Sequence, residues 1–117
     1  MELTIKSMMS PDVEIDAWEA ESPRDVYFLL ELEIGETHRD AADLFQVMVA
    51  TPEGLREHAR GNIISERATL VLSEFSWPSL HRALQDILRK CQTTDWPQSC
   101  LRLQRYFRWE YEDFVRS

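Results

Sequence analysis

Hydrophobic and polar residues alternate in "ELTIKSM" (2–8). Leu3 and Ile5 point one way and Glu2, Thr4 and Lys6 the other, which is the period of a strand with one wet face. Pro11 stops it, because proline has no N–H to give to a ladder. "VYFLLELEI" (26–34) repeats the pattern, with Phe28, Leu30, Leu32 and Ile34 against Tyr27, Leu29, Glu31 and Glu33. Two carboxylates side by side repel, so the face carrying Glu31 and Glu33 is expected in water. Gly35 opens a connection through "GETHRDAAD". "LFQVMVA" (44–50) is a third strand, with Phe45, Val47 and Val49 on one face. The modest loop between the second and third strands favours an antiparallel pair.

The period then changes. "TPEGL" (51–55) starts a short helix: Thr51 can cap, Pro52 suits the first helical position and Glu53 the positive end of the dipole. That helix is expected to end near Gly61. "RATLVLSEF" (67–75) reads as a fourth strand, with Thr69, Val71, Ser73 and Phe75 opposite Ala68, Leu70 and Leu72. "SLHRALQDILRKC" (79–91) is the clearest helix. Leu80, Leu84, Ile87, Leu88 and Cys91 form its apolar stripe, and Pro78 pre-organises its first turn. "DWPQSCLRLQRYF" (95–107) is a further helix, capped by Asp95, with Cys100, Leu103 and Phe107 on one stripe. The aromatic tail from Arg108 is expected to be extended. Strands come first and helices follow. The order predicts an α+β fold: an antiparallel sheet of about four strands with two longer helices and one short helix packed on one face. No repeat or linker divides the 117 residues, so one domain over 1–117 is expected.

Composition supports this and narrows the function. At 44% hydrophobic with 3 Gly and 5 Pro, the chain can build a core and is not low-complexity. No stretch is apolar enough to span a bilayer, and "MELTIKSMMSPD" lacks the pattern of a secretory leader. Cys91 and Cys100 lie beside apolar neighbours and read as buried free thiols, which suits a cytoplasmic location. The formal net charge of −8 is unevenly spread. Residues 1–53 carry 13 acids and 3 bases, whereas residues 54–117 carry 8 acids and 10 bases. The first half repels nucleic acid and anionic membrane and attracts a cationic protein.

The charge concentrates in "SPDVEIDAWEAESPRD" (10–25), where Asp12, Glu14, Asp16, Glu19, Glu21 and Asp25 face one opposing base, Arg24. Trp18 is its one large apolar residue and is expected to anchor the segment on the core edge. Asp12, Glu14 and Asp16 alternate like calcium ligands, but no glycine follows before Gly35, so no metal site is expected. His38, His58 and His81 form no metal or catalytic spacing. No phosphate loop or nucleophile elbow is present. Paired acids such as Glu31 with Glu33, and Glu110 with Glu112 and Asp113, fit a wet surface better than a glycosidase pair. Neither catalysis nor a cofactor is expected. Trp109, Tyr111 and Phe114 in the tail either close the core or form a partner patch.

Four stretches together resemble the bacterial immunity protein 8 family: "SPDV" (10–13) after an opening strand, "FQVMVATPEGL" (45–55), "LVLSEFSWPSLHRALQDILRKC" (70–91) and "RWEYEDF" (108–114). Gly54 departs from it, a bulky residue being expected before Leu55. The resemblance implies a non-catalytic antidote that binds a polymorphic toxin domain in the cytoplasm of the producing bacterium. On that reading the partner is the cognate toxin domain, expected to be basic, with no direct nucleic-acid or membrane partner. The protein itself is expected to be a monomer or weak homodimer. The contact residues are expected to be Asp12, Glu14, Asp16, Trp18, Glu19, Glu21, Glu31 and Glu33. The alternative is a small adaptor or structural subunit that assembles through the C-terminal aromatic segment.

Overall fold

The computed structural model describes residues 1–59 and 68–111. Strands β1 (Leu3–Met9), β2 (Tyr27–Glu36) and β3 (Asp43–Ala50) form an antiparallel meander. Strand β4 (Thr69–Val71) pairs with the outer edge of β3, and β5 (Arg108–Trp109) pairs with the same edge opposite Phe45 and Gln46. The α+β class stands, but the sheet is mixed: β4 runs parallel to β3. The cause is α1 (Pro52–Ala59). The connection from β3 to β4 is a crossover that includes this helix rather than a tight hairpin turn, which lets the next strand run in the same direction as the last.

The alternation read from the sequence holds on β2 and β3. Phe28, Leu30, Leu32, Ile34, Phe45, Val47 and Val49 are all buried on one face. Helices α2 (Trp77–Cys91) and α3 (Trp96–Leu103) contribute Leu80, Leu84, Ile87, Leu88, Cys91, Cys100 and Leu103 to the same core. Helix α2 starts two residues earlier than the apolar stripe suggests, because Ser76 caps it through the Ser79 amide (3.2 Å). Asp95 caps α3 as expected, accepting from the Gln98 amide at 2.9 Å. Burial pushes the Cys91 thiol up, and that of Cys100 to about 12. Both cysteines are free and buried.

Three boundaries differ from expectation. Helix α3 stops at Leu103 rather than Phe107. The amides of Tyr106 and Phe107 both bond the Leu103 carbonyl, and this tight turn drops Phe107 into the core against Phe45. Strand β4 ends at Val71, not Phe75. Val71 is 49% exposed while Phe75 is buried, so the two do not share a face. The Phe75 amide bonds the Pro23 carbonyl, which pulls the chain off the sheet. Strand β2 runs through Gly35, where the Ala41 carbonyl approaches too closely for any side chain. The expected helix end at Gly61, Arg67 of the fourth strand, and Glu112, Asp113 and Phe114 lie outside the described residues.

Thr51 joins these parts. It is fully buried, and its Oγ1 accepts from the amides of Val26 (3.0 Å) and Gly54 (3.2 Å) while donating to the Arg24 carbonyl (2.6 Å). One hydroxyl therefore caps α1 and ties it to the start of β2. Thr51→Val keeps the shape and leaves two buried amides without that acceptor. A loss of about 2 kcal/mol is expected, against well under half of that for Thr51→Ser. Equilibrium urea unfolding of the two variants checks the difference, and equal losses would refute the role of the hydroxyl.

Candidate partner-binding surface

The acidic segment is a docked loop. Ser10 Oγ accepts from the amides of Asp12 and Val13, which turns the chain as β1 ends. Asp12 Oδ2 then accepts from the Leu29 amide at 2.9 Å, occupying a position on β2 that β1 no longer reaches. Asp16 has φ 62°, and its carboxylate meets His81 Nε2 of α2 at 3.0 Å. The Trp18 ring lies 5.7 Å from Phe28 and 5.5 Å from Phe75, as the expected anchor on the core edge. Its carbonyl accepts from Trp77 Nε1 at 2.8 Å. Val13, Ile15 and Ala20 also pack on the core. The exposed side chains of Glu14, Glu19 and Glu21 point away from this anchored seam.

Glu31 and Glu33 belong to a different surface. They alternate with Leu30, Leu32 and Ile34 and so lie on the sheet face opposite α2 and α3. Gln46 Nε2 donates to Glu31 Oε2 at 2.9 Å across β2 and β3, and Ser7 Oγ donates to Glu33 Oε1 at 2.5 Å across β1 and β2. Ser7 reaches this face through an irregularity in β1. The register shifts between Ile5 and Ser7, so Met8 pairs with Leu32 towards the core while Met9 pairs with Glu31 on the open side. Leu29 and Met48, directly paired, continue an apolar strip beside Met9. At one end His58 of α1 stacks on Tyr27 with ring centroids 3.9 Å apart. The eight residues singled out from the sequence are thus not brought together: Asp16 and Trp18 sit on the helix side, Glu31 and Glu33 on the open side, Asp12 at the edge between them, and Glu14, Glu19 and Glu21 are exposed on the loop. The apolar strip of Met9, Leu29 and Met48 was missed. The signal for it was present, since the wet face of "VYFLLELEI" carries a leucine as well as the glutamates.

The tail divides its aromatics. Trp109 is half-buried, and its Nε1 donates to Asp43 Oδ2 at 3.0 Å. Tyr111 packs on Trp109 edge to face and is 42% exposed. Among the described residues, one hollow lies between Gly35, Arg39, Asp43 and Trp96 and a shallower one between Arg24, Glu53, Arg56 and Glu74. Glu31 and Glu33 line neither of these. Among the described residues no three His, Cys, Asp or Glu side chains cluster as metal ligands, and no helix is long and apolar enough to cross a membrane.

A mixed sheet with α2 and α3 packed on one face, a docked acidic loop and a second face bearing oriented carboxylates defines a small acidic α+β protein organised around surfaces. The family model for immunity protein 8 matches residues 3–114, nearly the whole chain, and the protein belongs to that family. No curated protein and no solved structure matches it.

Proposed function

We propose that this protein neutralises a cognate bacterial polymorphic toxin by direct, non-catalytic binding, through an acidic surface and in the cytoplasm of the producing cell. Membership of the immunity protein 8 family carries this reading. The charge distribution supports it: the first 53 residues hold most of the acids, and a toxin domain that binds phosphate is itself basic. Complementary charge speeds encounter and rejects wrong partners. Glu14, Glu19 and Glu21 supply exposed charge on a loop held by Trp18, Asp12 and Asp16, so the carboxylates are displayed on a fixed frame rather than a floppy one. Glu31 and Glu33 add charge on the open sheet face.

The test is binding to the toxin domains encoded beside this chain. A specific complex below micromolar concentration is expected, and its absence with every neighbouring candidate would sink the proposal. Charge reversal at Glu14 and Glu19 should slow association about fivefold at low salt and flatten its dependence on ionic strength. Stopped-flow association across a salt series reads both, and an unchanged rate would exclude the loop from steering.

A further inference from the structure

The described part of the sheet is covered unequally. On one side lie α2, α3 and the loop through Trp18. On the other, among the described residues, α1 leans over one end through His58 and Tyr27. The strip formed by Met9, Leu29 and Met48 lies beyond it, and none of these three packs on the core. Met9 is 49% exposed. Methionine and leucine side chains are unbranched at Cβ and adapt their shape to an incoming surface. Glu31 and Glu33 border the strip, each held by a neighbouring side chain, Gln46 and Ser7. Carboxylates held this way have already lost rotamer freedom, which lowers the cost of a further contact.

We infer that this open sheet face is the principal contact surface for the toxin domain: the apolar strip Met9, Leu29 and Met48 receives an apolar side chain, and Glu31 and Glu33 receive arginine or lysine beside it. The inference rests on the proposed toxin-neutralising function and names the part of the surface that holds the complex together. Charge decides the occupant. A second copy would bring the Glu31 and Glu33 rows of two chains together, each chain carrying a net charge of −8, and like charges across an interface are repelled. A cationic surface with an apolar projection satisfies both parts of the face. Arg108, opposite Gln46 on β5, marks the far rim and limits the anionic zone to β1–β3. The loop acids act differently. Asp12 and Asp16 are engaged within the protein, and Glu14, Glu19 and Glu21 contribute long-range attraction. The face therefore governs dissociation and the loop governs association.

The experiment measures both rates for the full chain with an inactivated toxin domain encoded beside it. Met48→Arg and Glu33→Arg are compared with Glu19→Arg and Glu21→Arg. The open-face variants should raise the dissociation rate by roughly 30-fold or more, the scale of an interface hot spot, with little change in association. The loop variants should do the reverse. Met9→Arg, an exposed position at the end of β1, provides a substitution that the fold tolerates, and thermal melting establishes that each variant is folded. Wild-type dissociation rates in folded open-face variants would overturn this surface while leaving toxin binding intact. Failure of the unaltered protein to bind any neighbouring toxin domain would overturn the functional proposal, and this inference with it.

Discussion

Phe28→Ala is expected to destabilise the protein by about 4 kcal/mol, the usual range for emptying a buried phenylalanine site. The site joins parts of the chain that are far apart in sequence. Phe28 is 2% exposed, and its ring meets Trp18 at 5.7 Å, Phe75 at 5.6 Å and Trp77 at 6.1 Å. Those partners come from the acidic loop, the stretch leaving β4 and the first turn of α2. Removing the ring takes away transfer energy and leaves a cavity that β2 cannot close, because Phe28 is paired with Val49 of β3 and the next amide, that of Leu29, is bonded to Asp12. The melting temperature should fall by about 15 °C. The loop should loosen before the sheet does, since Trp18 loses one of its two ring contacts. Urea unfolding followed by tryptophan fluorescence and by far-ultraviolet circular dichroism tests both parts. A loss under 2 kcal/mol would show that the aromatic group is not a unit. Phe28→Leu should recover more than half of the loss.

Gly54→Ala is expected to cost about 3 kcal/mol, against the ordinary direction of such a change. In a free helix, alanine is better than glycine by about 1 kcal/mol. Here α1 begins directly against β2. A Cβ on residue 54 would lie 2.0 Å from the Val26 carbonyl oxygen, 2.6 Å from its carbon and 2.9 Å from its nitrogen. All three are backbone atoms of the residue that leads into β2, held on both its N–H and its carbonyl by Thr51, and cannot rotate away. The helix must lift, which breaks the Thr51 junction with the amides of Val26 and Gly54. Overpacking of this kind costs about 1–3 kcal/mol, and the lost hydrogen bonds add to it. Thermal melting decides the matter: a variant as stable as the parent, or more so, would mean that the helix can move without penalty.

Much of the protein was legible in the chain. The buried face of β2 and β3 follows from strict alternation, and the five residues that α2 buries are those of its apolar stripe. Local chemistry also fixed the starts of α1 and α3, through Thr51 and Asp95. The ends of elements were less legible. Phe107 lies on the continuing stripe of α3 yet reaches the core from a turn. Phe75 alternates in phase with Val71 yet faces the core while Val71 faces water. In both cases a tertiary contact outweighs the local period, because burying a phenylalanine is worth more than one further turn of helix or step of strand.

The candidate surface shows the same division. The sequence by itself determined that the protein is acidic, that its acids crowd the first 53 residues, and that Trp18 had to anchor the loop. It determined the α+β class, because the two periods are local properties of the backbone. Only the tertiary structure decided that Asp12 serves the ladder of β2, that Asp16 meets His81, and that Trp18 and the glutamates of β2 face opposite sides of the sheet. It alone turned β4 parallel to β3, and it alone set Met9 on the open face through a one-residue irregularity in β1. The reason is common to all of these. Charge and periodicity are additive along a chain. A carboxylate's partner, a strand's direction and the side to which a residue points after a bulge depend on chain segments that only folding brings together.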